Sequence, residues 1–64
     1  MTTWNHAYSL AFAVSGSHYE DWEEAMKNEK DFIIEALLRR VKEIRGNNFE
    51  FMEALEGFDT YEEV

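Results

Sequence analysis

The chain is predicted to be a small α+β domain, on three observations. Residues alternate with period two near the N-terminus, apolar residues recur with the 3.6-residue helical period through the middle, and a short aromatic tail is suited to return as a strand. At 64 residues and 7.6 kDa it is one domain, 1–64, and a chain of this length hides only about 60% of the surface its unfolded form exposes. With no cysteine, neither a disulfide framework nor a thiolate zinc site is available to brace so small a core. A hydrophobic fraction of 45% with ten aromatics nevertheless argues for a folded chain.

The first element is a strand over 6–15. Tyr8, Leu10, Phe12 and Val14 are large on one side, and Ala7, Ser9, Ala11 and Ala13 are small on the other. Small residues along the second face suit close packing against a helix or a partner. Ser17 and Glu20 have the spacing of a capping box, so a helix over 18–27 is expected, with Tyr19, Trp22 and Met26 as its core stripe. Asn28 offers a second cap, followed by a helix over 29–45. Its apolar residues Ile34, Leu37, Leu38, Val41 and Ile44 repeat with the helical period, and Phe32 and Ile33 widen the stripe. Arg39, Arg40, Lys42 and Arg45 crowd the cation-favouring C-terminal turns, and Gly46 stands where a left-handed cap is wanted. Asn47 with Glu50 resembles a further capping box, and Phe51, Leu55 and Phe58 suggest a helix over 48–56 closed by Gly57, although Phe49-Glu50-Phe51 also suits a strand.

An acidic tail, 58–64, completes the chain. A lone strand cannot satisfy its own backbone, so the first strand needs a neighbour. The tail, a second copy meeting it edge to edge, or a target's sheet would each serve, and the tail is favoured.

Enzymatic motifs are missing. His6 and His18 lack HExxH spacing, no nucleophile elbow surrounds Ser9, Ser15 or Ser17, no glycine-rich phosphate loop precedes a helix, and the acids fit no EF-hand. No catalytic residue, cofactor or metal is expected. The first ten residues carry no Lys or Arg and the longest apolar run, Leu10 to Val14, is five residues, so neither a secretory signal nor a membrane span is expected and the cytoplasm is the default compartment.

Charge is the informative feature. Fourteen Asp and Glu against six Lys and Arg leave −8, which disfavours direct nucleic-acid binding. Residues 1–26 sum to −4, 27–45 to +2 and 46–64 to −6, so every cation belongs to the central segment. Glu20, Asp21, Glu23 and Glu24 form one candidate partner-binding patch, and Glu50, Glu53, Glu56, Asp59, Glu62 and Glu63 the other. Like charges three or four apart on a helix cost about 0.2–0.5 kcal/mol per pair. Imitation of a polyanion is one reason to tolerate that cost, and the partner would then be a basic nucleic-acid-binding host protein. Solubility is the plain alternative, in which the chain is a homodimeric assembly or regulatory protein joined through Tyr8, Leu10, Phe12 and Val14. A monomer is favoured over a homodimer. Trp4 and Tyr61 have no evident core position and suit either interface anchors or covers for the sheet ends.

The opening Asn5-His6-Ala7-Tyr8-Ser9-Leu10-Ala11-Phe12 and the ending Phe58-Asp59-Thr60-Tyr61-Glu62-Glu63 resemble the small acidic proteins of bacteriophages and mobile elements. In size and acidity the chain is similar to anti-CRISPR inhibitors of type I surveillance complexes, several of which imitate DNA. That resemblance implies an inhibitor in a bacterial host cell, bound to the positively charged DNA-recognition surface of a Cas subunit. It transfers no residue role, because these inhibitors share no signature.

Overall fold

The alternating N-terminal residues do form a strand, and its partner is the tail. In the computed structural model, which describes residues 2–63, β1 (Trp4–Leu10) pairs antiparallel with β2 (Leu55–Glu62). Between them run α1 (Trp22–Asn28), α2 (Lys30–Arg45) and α3 (Asn48–Ala54), giving the α+β order strand, three helices, strand. The last residue of the expected tail, Val64, lies outside the described residues. The register runs from Trp4 opposite Glu62 to Leu10 opposite Leu55, with a bulge that leaves Phe58 unmatched between Gly57 and Asp59.

β1 is shorter than the expected 6–15 and begins earlier. Its ladder ends because β2 begins at Leu55, and beyond Leu10 only one further backbone bond forms, from Ala11 N–H to the Ala54 carbonyl (2.9 Å). Phe12 and Val14 are half-buried, as Leu10 is, while Ala11, Ala13 and Ser15 are exposed, so an in–out alternation runs from Leu10 past the end of the pairing.

The first helix starts at Trp22, not at 18. Asp21 is the cap, its carboxylate accepting from Glu23 N–H (3.3 Å). Ser17 is occupied elsewhere: its hydroxyl donates to the Glu29 carboxylate (2.5 Å) and accepts from Tyr19 N–H (3.2 Å), while His18 N–H also donates to Glu29 (3.3 Å). Glu29 thus holds the 17–19 turn from the junction of α1 and α2. Asn28 does not cap α2, because it is the last residue of α1 and its amide donates back to the Glu24 carbonyl (2.8 Å).

At the other end of α2, Gly46 (φ −96°) is not left-handed. The chain passes at once into Asn47, whose side chain accepts from Phe49 and Glu50 N–H (3.1 and 3.2 Å) and starts α3 as expected. The third helix stops at Ala54 rather than 56, since Leu55, Glu56 and Gly57 are taken by the ladder with Leu10, Ser9 and Tyr8. Gly57 is a strand residue over which the Tyr8 ring lies, 3.8 Å from the place a Cβ would take.

Burial departs furthest from expectation. Among the described residues the core is Ala25, Ala36, Ile44 and Ala54, three of them alanines, and no large side chain is fully enclosed. Tyr19, Trp22 and Met26, expected inside, are exposed, as are Phe51 and Phe58. Trp22 is the first residue of α1, and Ala25 is the residue that α1 buries. The radius of gyration is 15.3 Å, against about 11 Å for a compact chain of this length, and the molecule extends 50 × 26 × 16 Å.

Local backbone chemistry is tested by substitution. Gly16 holds φ +86°, so Gly16→Ala should destabilise the protein by about 1–2 kcal/mol in urea titration. Gly57→Ala meets only ordinary contacts and should change stability by less than about 0.5 kcal/mol. Equal losses at both positions would contradict this backbone account.

Candidate functional site

The two acidic patches are carried by different elements, and the elements treat their carboxylates differently. In the first patch Glu20 and Asp21 precede α1, and Glu23 and Glu24 lie in its first turn, where the exposed amide ends favour negative charge. Asp21 has a structural task as the cap. Glu24 is tied to Lys27 by a loose surface contact (3.6 Å), one turn along the same helix. Only Glu23 and Glu24 share the helix, so the row expected from Glu20 onward is a bend followed by a helix start.

In the second patch the central helix claims one member. Arg40 Nη1 donates to Glu50 of α3 (3.0 Å) and to Glu43 one turn ahead on α2 (3.1 Å). The hydrogen bonds to Glu43 first and Glu50 second hold the guanidinium pKa above its ordinary value. The fork is built by helix geometry: Ile33, Ala36, Arg40 and Ile44 follow one another at three- and four-residue steps along the covered side of α2, with Leu37 beside them. Glu50 is half-buried and paired, and it drops out of the free anionic surface.

The remaining acids of this patch are exposed. Glu53 lies on α3, while Glu56, Asp59 and Glu62 are strand residues and Glu63 follows the strand. Cross-strand partners share a face, so Glu56, opposite Ser9, and Asp59, opposite Ala7, stand on the small-residue face of the sheet with Tyr61, opposite Asn5. Glu62, opposite Trp4, is on the other face with Thr60, whose hydroxyl meets His6 Nδ1 at 3.0 Å. Glu63 accepts from the Thr3 hydroxyl (3.3 Å). Among the described residues, eight of the ten candidate acids, all but Glu24 and Glu50, make no ion pair.

A second surface was not singled out by sequence reasoning as open. The α2 stripe is wider than one neighbour covers. Leu37 and Ile44 turn inward, while Ile34, Leu38 and Val41, spaced by four and three, are open, Leu38 to 62%. Trp4, Tyr8, Trp22, Phe49, Met52 and Phe58 are each more than half exposed. The signal was present: a run with Phe32, Ile33 and Ile34 together and Leu37 and Leu38 together is apolar on more than one side.

No protein-family model, curated protein or solved structure matches the chain. No helix among the described residues is long and apolar enough to cross a membrane.

The two kinds of carboxylate are separable by heat. Glu50→Gln should lower the melting temperature followed by circular dichroism, because it removes one of the two partners of Arg40, and the deficit should shrink in high salt. Glu53→Gln, at an exposed carboxylate without a cation, should leave the melting temperature unchanged or raise it. The same fall for both would remove the distinction.

Proposed function

We propose that the chain is a non-catalytic inhibitor that binds a basic, nucleic-acid-binding protein through its free carboxylates and so occupies a surface meant for a polyanion. The single observation supporting this reading is that most of the acids outside the central helix stay exposed and without cations, although Arg39, Lys42 and Arg45 are on the same chain. Among the described residues, self-neutralisation is confined to Arg40 and Lys27. Steering by such a surface raises the association rate most at low salt. The binding set is Glu53, Glu56, Asp59, Glu62 and Glu63, with Glu20 and Glu23 at the other patch; Glu50 supports the fold and Asp21 the helix. The finer assignment is an anti-CRISPR acting on a Cas subunit in the cytoplasm of a bacterial host. Its support is the resemblance in size, acidity and terminal sequences.

A second reading has its own observation. The exposure of Leu38, Trp22, Phe49, Met52 and Phe58 favours an assembly protein that buries apolar surface against another chain, with the acids keeping it dissolved. The two readings use different side chains and have opposite salt dependence.

The test of the first is capture from a bacterial lysate by the tagged protein, at low and high salt, beside a Glu56→Lys, Asp59→Lys variant. The reading expects nucleic-acid-binding proteins that are retained at low salt, displaced by salt and by duplex DNA, and lost with the variant. Retention indifferent to salt, DNA and both reversals would overturn it.

A further inference from the structure

The isolated chain leaves too much surface uncovered. A folded monomer of 7.6 kDa exposes about 4,300 Å² by the usual scaling, whereas this one exposes 5862 Å², an excess of about 1,600 Å². Two such excesses make about 3,200 Å², within the roughly 2,000–5,000 Å² buried by obligate dimers. The excess is apolar in its most exposed parts, Leu38 and Trp22 among them.

The backbone shows where a second chain joins. Residues 12–15 run without turn or bend, alternate between half-buried and exposed from Leu10 onward, and make no backbone hydrogen bond to any described residue. β1 is paired on one edge only, in a sheet of two strands. Beside the unpaired stretch lies an unfilled groove of about 730 Å³, with Phe12, Ala13, Phe32, Ala36 and Arg39 in its walls. Two-stranded sheets are marginal in water, and a free strand edge is a template for another strand.

We propose that the occupant is a second copy of this chain, paired antiparallel through residues 11–15 about a twofold axis at Ala13. Ala11 then faces the copy's Ser15, and Phe12 faces the copy's Val14, so an aromatic residue meets a β-branched one on the half-buried face. The arrangement is self-complementary, as an isologous interface requires. It joins the two sheets in a stagger, through the extensions of the two first strands beyond Leu10, with each β2 on the far side of its own first strand. In that arrangement the acids of β2 lie on the two outer strands, so the charges of two −8 chains are kept apart while Arg39 stands near the axis. The proposal reverses the expectation of a monomer. It rests on the assembly reading and is independent of what the acids bind, since a dimer displays both acidic edges equally well.

Sedimentation equilibrium of the full chain and oxidative cross-linking of an Ala13→Cys variant test it together. Opposed Cα atoms in an antiparallel pair are about 4.5–5.5 Å apart, within disulfide reach. Expected are twice the 7.6 kDa chain mass, tighter association at high salt, and a disulfide-linked dimer from Ala13→Cys but not from the control Lys27→Cys at the exposed end of α1. Phe12→Lys should weaken association at least tenfold. A chain that sediments at 7.6 kDa at every concentration, a larger oligomer, or a dimer that cross-links equally well at both cysteines would overturn the proposal. Lysate capture indifferent to salt, DNA and the acid reversals would overturn the inhibitor reading and leave this result untouched, so the two proposals fail separately.

Discussion

A shortage of side-chain volume at the contacts between elements governs the molecule. Where α1, α2 and the α3–β2 junction are covered, the enclosed residues are Ala25, Ala36 and Ala54, with Ile44 as the one larger member. Alanine lets backbones approach but removes little apolar area from water, and burial contributes in proportion to that area. The long shape, the open α2 face and the unpaired stretch after β1 follow from this. Apolar residues in a chain with 45% hydrophobic content were not spent on its own interior.

Much of the architecture was legible because local signals agreed. α2 carries a helical period, cations in its last turns and a clean stop, and it forms within one residue of the expected bounds. The return of the tail to β1 was also legible, since a strand needs a partner and few segments were free. What was not legible depended on distant residues. Ser17 reads as the cap of the first helix, but Glu29, twelve residues away, takes the serine hydroxyl, and Asp21 caps the helix instead. Leu55 to Gly57 suits a helix end by spacing and a strand by context; pairing with Tyr8 to Leu10, across some forty-five residues of chain, decides it. No local rule contains either event.

The candidate acids were legible as residues but not as a surface. Glu50 and Glu53 look equivalent in the sequence, three apart on one helix. The tight passage through Gly46 and Asn47 brings α3 back on α2 so that Arg40 reaches Glu50. Glu56 and Asp59 are also three apart, an odd spacing that would put them on opposite faces of a regular strand. The bulge at Phe58 returns them to one side, opposite Ser9 and Ala7. Charge is therefore sorted by position, with cations central and free acids on α3, the returning strand and the first helix start, whereas open apolar residues occur on every element.

The proposed completion of the fold by a second chain has a thermodynamic consequence that is independent of any target. Stability of such a molecule is inseparable from its concentration, because unfolding and dissociation are one reaction. The direct measurement is the melting temperature across a wide range of protein concentration. A transition that moves upward with concentration is the result this account requires. One cooperative transition at the same temperature throughout the range would mean that the few alanines and Ile44 suffice by themselves, and would contradict it.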